Sequence, residues 1–114
     1  MKIALVQMDV VHGQPMENKK HVIEMLERAL DDNPDVIVLP EMWNTGYALN
    51  ELDGLADKDG LDSQELLSHF ARKHAVAIIG GSVAIEKDGK FYNTTYVYNK
   101  SGDLINTYSK VHLF

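Results

Sequence analysis

The 114-residue sequence contains no cysteine, so it offers no disulfide framework, no thiolate metal site and no thiol nucleophile. A cysteine-free chain fits a cytoplasmic setting. Basic residues are in deficit: 11 Lys and Arg stand against 17 Asp and Glu, a net charge of -6. That balance argues against a nucleic-acid or anionic-membrane partner, because both need a basic face. No apolar run approaches the roughly 18 to 20 residues that span a bilayer. The opening MKIALVQMDVV is interrupted by Asp9 too soon to be a secretory signal. A glycine-rich phosphate loop is missing as well, since MDVVHGQPM holds one glycine where G-x-G-x-x-G needs three, and a Rossmann-type nucleotide binder is discarded on that ground. His12, His21, His69, His74 and His112 show neither H-x-H nor H-E-x-x-H spacing, and His69 and His74 do not share a helix face. Repeats, low-complexity tracts and linkers are also absent.

What remains is an ordinary globular composition, 45% hydrophobic and 25% charged, long enough to bury one core. Ile3 to Met8 reads as a first strand. Gly13 and Pro15 mark a loop and then a first helical turn, where proline is tolerated. Val22, Leu26, Ala29 and Leu30 form one apolar stripe, with Glu24, Glu27 and Arg28 outward. The helix stops at DDNP, because the residue before a proline avoids the helical region. Val36 to Leu39 is an unalternating apolar run, the pattern of a strand covered on both faces. Strand, helix, strand in forty residues reads as a βαβ unit.

Asp62 with Glu65 three residues on resembles a capping box, and Leu66, Leu67, Phe70 and Ala71 follow as a helix face. Val76 to Ile79 is another buried-type strand, ended by Gly80 and Gly81. From Ser82 onward the helical period vanishes. DG in EKDGKF and SG in NKSGDL are turn signals, and Tyr92, Thr94, Tyr96 and Tyr98 share one strand face. The expected fold is therefore α/β, a βαβ start followed by an antiparallel meander in a mixed sheet.

Glu41 stands just past the carboxyl end of Val36–Leu39, where open α/β sheets bind ligands. A plain surface or ion-paired glutamate would sit there too. The adjoining Trp43, Asn44, Thr45, Gly46 and Tyr47 supply the aromatic and hydrogen-bonding mixture a small-molecule pocket needs, although Trp43 and Tyr47 would also serve to cap the core under a loop. Lys110, in TYSKVHLF, shares a strand face with His112. On a buried face it would need a carboxylate partner such as Glu41; on an edge strand it would only discourage aggregation.

LPEMWNTGY together with YSKVHLF resembles the two N-terminal signatures of the carbon–nitrogen hydrolase, or nitrilase-like amidase, superfamily. KIALVQMDV, DVIVLPE and FYNTTYVYNKSG follow the family's order, and PEMWNTGY is most similar to the ω-amidase branch, which includes 2-oxoglutaramate amidases. The resemblance implies a Glu-Lys-Cys mechanism: Glu41 as general base, Lys110 stabilising the oxyanion, and a cysteine attacking a small amide to release ammonia. It implies no metal or organic cofactor. Trp43, Asn44 and Tyr47 become the expected substrate contacts and His112 a supporting residue. It also implies an α-β-β-α sandwich more than twice this long, so residues 1–114 read as one incomplete domain without its C-terminal half. Such a chain is expected to be inactive alone and to self-associate through uncovered sheet surface. The alternative is a non-catalytic remnant that acts as a binding or assembly module.

Overall fold

Pro15 opens α1 (Pro15–Ala29) at the position where its missing N–H leaves no bond unmade, and Val22 and Leu26 are fully buried on the helix's inner face. A short 3-10 turn, Leu30–Asp32, and Asn33 in the left-handed region then end the helix before Pro34. In the computed structural model, which describes residues 1–48 and 51–111, α1 joins β1 (Ile3–Leu5) to β2 (Val36–Val38). The two strands pair in parallel, the βαβ unit read from the sequence. Beyond lie β3 (Asp57–Lys58), α2 (Leu61–His74), β4 (Ala77–Ile79), β5 (Val83–Lys87), β6 (Lys90–Tyr98) and β7 (Leu104–Val111).

Among the described residues, seven strands form one mixed sheet in the order β1-β2-β4-β6-β5-β3, with β7 paired to β6. Asp88 and Gly89, both at positive φ, make the β5–β6 hairpin turn that DG announces, and the register Lys87↔Lys90 closes it. The two helices pack on one face of the sheet, where Ile37, Leu39, Ile78, Tyr96 and Tyr98 meet Val22, Leu26, Leu67 and Phe70. Burying each such aliphatic side chain stabilises the fold by about 1.5–3 kcal/mol. Among the described residues no helix is long and apolar enough to cross a membrane.

Three expectations need correction. β1 stops at Leu5 rather than Met8, although Val6 N–H still donates to the Val38 carbonyl at 2.9 Å. The start of α2 is not a capping box. Gly60 is the N-cap, and the carboxylate of Asp57 reaches from β3 to accept from the N–H groups of Asp62 (3.3 Å) and Ser63 (2.8 Å). Asp62 is thereby free to pair with Lys19 of α1 at 2.9 Å. Finally, the described residues cover β2 on one face only: Ile37 and Leu39 are buried while Val36 and Val38 are half-buried. By register, Leu5, Val38, Ile79 and Val97 form one row across four strands on the open face, and Leu5 is 72% exposed.

Candidate active site

Parallel pairing does not stop with β2. Leu39 N–H donates to the Ile79 carbonyl, Ser82 N–H to the Pro40 carbonyl, and Trp43 N–H to the Ser82 carbonyl, at 3.0 to 3.2 Å. Ser82 Oγ also accepts from Met42 N–H at 2.9 Å. Residues 39–43 are thus stitched to the β4–β5 link, and Glu41 is carried out at the carboxyl end of β2, exposed. Gly81 makes the approach possible. It sits at φ +60, and a Cβ there would collide with the carbonyl oxygens of Leu39 and Pro40.

The loop after Glu41 is fixed from inside. Trp43 is 2% exposed and its Nε1–H donates to the Gly80 carbonyl at 2.9 Å. Asn44, also buried, treats Ala84 of β5 as a neighbouring strand would: its Oδ1 accepts from Ala84 N–H and its Nδ2 donates to the Ala84 carbonyl, both at 2.9 Å. Asn18 of α1 does the same for Val11 at 2.7 Å and also donates to the Asn44 carbonyl at 2.8 Å. Two buried amides therefore tie helix, loop and sheet together. Asn18 escaped the sequence reading, although it stands four residues before Val22 on the apolar stripe of α1, a place where an amide needs a buried partner.

Glu41, Tyr47, Asn93, Lys110 and Val111 line one open cleft of about 310 Å³ at this end of the sheet. Glu41 and Lys110, distant in sequence, are thus brought together. They form no ion pair; among the described residues the ion pair is Lys19–Asp62. Lys110 lies on the open face of β7 and is exposed, so the burial argument for its pairing does not hold. Of the three expected substrate contacts only Tyr47 reaches the cleft, where its hydroxyl donates to Glu41 Oε2 at 3.1 Å. Partial burial, that hydrogen bond and the negative charge of Glu41 push the Tyr47 hydroxyl above its ordinary pKa. Trp43 and Asn44 are spent on the core instead. His112 lies outside the described residues.

Asn93 was not singled out from sequence. It faces Lys110 directly across the β6–β7 ladder, is 9% exposed, and its Oδ1 is buried with no hydrogen-bond partner among the described residues. A buried amide oxygen without a partner, beside a carboxylate and an ammonium that line the same cleft, is a mark of a polar site. A larger depression of about 600 Å³ lies on the helix side of β5–β7, lined by Tyr92, Thr94, Tyr96, Thr107 and Ser109 among others. Volume does not decide between them. Five hydroxyls line the larger one beside Asp59, Gln64, Lys87 and Asp88, and Thr94 and Ser109 already satisfy each other at 2.8 Å. The smaller cleft differs in setting Glu41, at the carboxyl end of a strand, together with Lys110 and an Asn93 oxygen that has no partner among the described residues.

Comparison with known proteins identifies the family. The family model described as carbon-nitrogen hydrolase matches residues 2–114. The 2-oxoglutaramate amidase of Bacillus subtilis (strain 168) is 46% identical over 112 residues, covering 98% of this chain and 43% of that protein. Omega-amidase NIT3 of Saccharomyces cerevisiae is 33% identical over 122 residues, covering 100% of this chain and 42% of that protein. The solved structure of Saccharomyces cerevisiae Nit3, a member of branch 10 of the nitrilase superfamily, superposes with a TM-score of 0.84 at 29% identity, over 98% of this chain and 44% of that one. The chain therefore spans less than half the length of these relatives.

Proposed function

Because this chain belongs to the carbon–nitrogen hydrolase family, we propose that it carries the acid–base and oxyanion-stabilising half of an ω-amidase-type site acting on a small amide such as 2-oxoglutaramate. The observation that carries the reading is the cleft shared by Glu41 and Lys110. In this reading Glu41 takes the proton of a cysteine thiol and the thiolate attacks the amide carbon, forming a C–S bond. The Lys110 ammonium stabilises the oxyanion; the space between the two groups is where the reacting carbon sits. Collapse breaks the C–N bond as Glu41 returns the proton to the leaving nitrogen, and ammonia departs. Water, deprotonated by Glu41, then cleaves the thioester and restores the thiol. None of the 114 residues is a cysteine, so the thiol has to come from another stretch of polypeptide, and the chain by itself hydrolyses nothing.

A chimera tests this: residues 1–114 placed ahead of the remainder of the Bacillus subtilis 2-oxoglutaramate amidase. Ammonia release from 2-oxoglutaramate is expected from the chimera and not from the 114-residue chain. Glu41→Gln and Lys110→Met in the chimera should each lower kcat/KM by roughly 10²–10⁴. A folded chimera indifferent to both substitutions would refute the assignment.

A second reading, a non-catalytic binding or assembly module, is favoured by the open sheet face on which Leu5, Ile79 and Tyr108 are exposed. The same surface underlies the self-association we expect of the chain by itself. Light scattering at tens of micromolar should report species larger than a monomer, and Leu5→Asp with Ile79→Asp should reduce them. A monodisperse monomer would count against association.

A further inference from the structure

Tyr47 is the polar neighbour of Glu41, and its ring is 60% exposed, so core packing does not account for where its hydroxyl points. The backbone does. Met42 and Gly46 both adopt positive φ, and Gly46 N–H donates to the Met42 carbonyl at 2.8 Å. This turn folds the loop back so that residue 47 returns to residue 41. Gly46 is suited to the turn by its φ of +62, a conformation strained for a residue with a side chain, while a Cβ there would make only ordinary contacts, 3.4 Å from Val10 Cγ1 and 3.6 Å from His12 Cα. Trp43 and Asn44 pin the turn from beneath. The loop thus presents a hydroxyl donor to one oxygen of a carboxylate that, at the tip of a strand, has no other hydrogen-bond or ion-pair partner among the described residues.

We propose that Tyr47 is a positioning residue for Glu41: by donating to Oε2 it fixes the carboxylate plane and leaves Oε1 as the proton acceptor facing the cleft. This rests on the reading of Glu41 as a base. The proton from the incoming donor bonds to Oε1, Tyr47 keeps its own proton throughout, and the same Oε1–H is then aimed at the departing nitrogen. Without the hydroxyl the carboxylate rotates freely, and the fraction of encounters with an aligned oxygen falls. Tyr47 on this view is not a substrate contact.

Two experiments test it. In the 114-residue chain labelled with 13Cζ-tyrosine, the Tyr47 signal is identified by its loss in Tyr47→Phe. Its titration midpoint, elevated in the parent, should fall in Glu41→Gln. A Tyr47 midpoint identical in parent and Glu41→Gln overturns the contact. In the chimera, Tyr47→Phe should lower kcat about tenfold with KM nearly unchanged. A raised KM with kcat retained overturns positioning in favour of substrate binding. If the titration follows Glu41 but the folded chimera releases no ammonia, the amidase reading fails and the carboxylate–tyrosine pairing stands.

Discussion

Replacing Asn44 by alanine separates a structural role from a substrate-binding one. In the native chain the side chain accepts from Thr45 N–H at 3.0 Å and from Ala84 N–H at 2.9 Å, and donates to the Ala84 carbonyl at 2.9 Å. Alanine removes all three bonds and abandons both backbone groups of Ala84, a residue with no exposed surface. Each buried polar group left without a partner costs about 1–3 kcal/mol, and water entering the vacated space recovers a part. The expected loss is about 3–4 kcal/mol, a large share of the roughly 5–15 kcal/mol that holds a domain of this size together. In melting temperature that is about 15–20 °C.

Trp43 is the only tryptophan and is adjacent to the substitution, so its fluorescence during urea unfolding reports on the region directly. Asn44→Asp is the companion variant. It keeps the acceptor for Thr45 and Ala84 N–H but sets a carboxylate against the Ala84 carbonyl and buries a charge. It should be as damaging as alanine at pH 7 and regain stability toward pH 5, where the protonated carboxyl can donate to that carbonyl. A stability for Asn44→Ala within about 1 kcal/mol of the parent would refute the reasoning and return Asn44 to the list of candidate substrate contacts.

Gly81→Ala should destabilise strongly, because it combines a positive φ with a clash against the Leu39 and Pro40 carbonyls, and the chain should be recovered in poor yield or melt far below the parent. Asp57→Ala should cost about 1 kcal/mol, measured by thermal unfolding, since it strips the acceptor from two N–H groups at the start of α2. Burial, and secondarily the charge of Tyr96, push the Tyr98 hydroxyl up to about 12. A pKa raised in the folded state gives stability that is complete below pH 10 and declines as pH rises toward 12, by about 2–3 kcal/mol in all. Urea midpoints at pH 9 and pH 11.5 should therefore fall further apart in the parent than in Tyr98→Phe; equal shifts would exclude Tyr98 as the cause.

The elements most legible in the sequence were those whose signal is local. The stripe Val22–Leu26, the DG turn at Asp88–Gly89 and the face shared by Thr94, Tyr96 and Tyr98 each follow from a period or a dipeptide, and each is where the pattern puts it. The parallel pairing of β1 with β2 follows from strand, helix and strand in succession. β3 was invisible because two residues, Asp57 and Lys58, carry no apolar pattern; a parallel pairing with β5 makes them a strand. The cap of α2 was misplaced for a related reason. A side chain four residues before the helix supplies the acceptor, and nothing local distinguishes it from Asp62.

The site shows the same division. Glu41 was legible because a strand end is a place, and the strand could be read. Its neighbours were not, because the loop's residues were judged by chemical type when their roles depend on backbone direction. Trp43 and Asn44 have the chemistry of a pocket wall, yet the turn closed by Met42 and Gly46 sends them inward to Gly80 and Ala84 and brings Tyr47 outward to Glu41. Asn93 was passed over as one polar residue in a strand of alternating ones. Only the β6–β7 register, which sets it opposite Lys110, gives its unsatisfied oxygen a meaning. The apolar run of β2 is the informative case, because Val36 and Val38 carry the apolarity of a two-sided cover that the described residues supply on one side. The row of Leu5, Val38, Ile79 and Val97, with Leu5 72% and Ile79 40% exposed, is accordingly the surface on which the proposed self-association is to be tested.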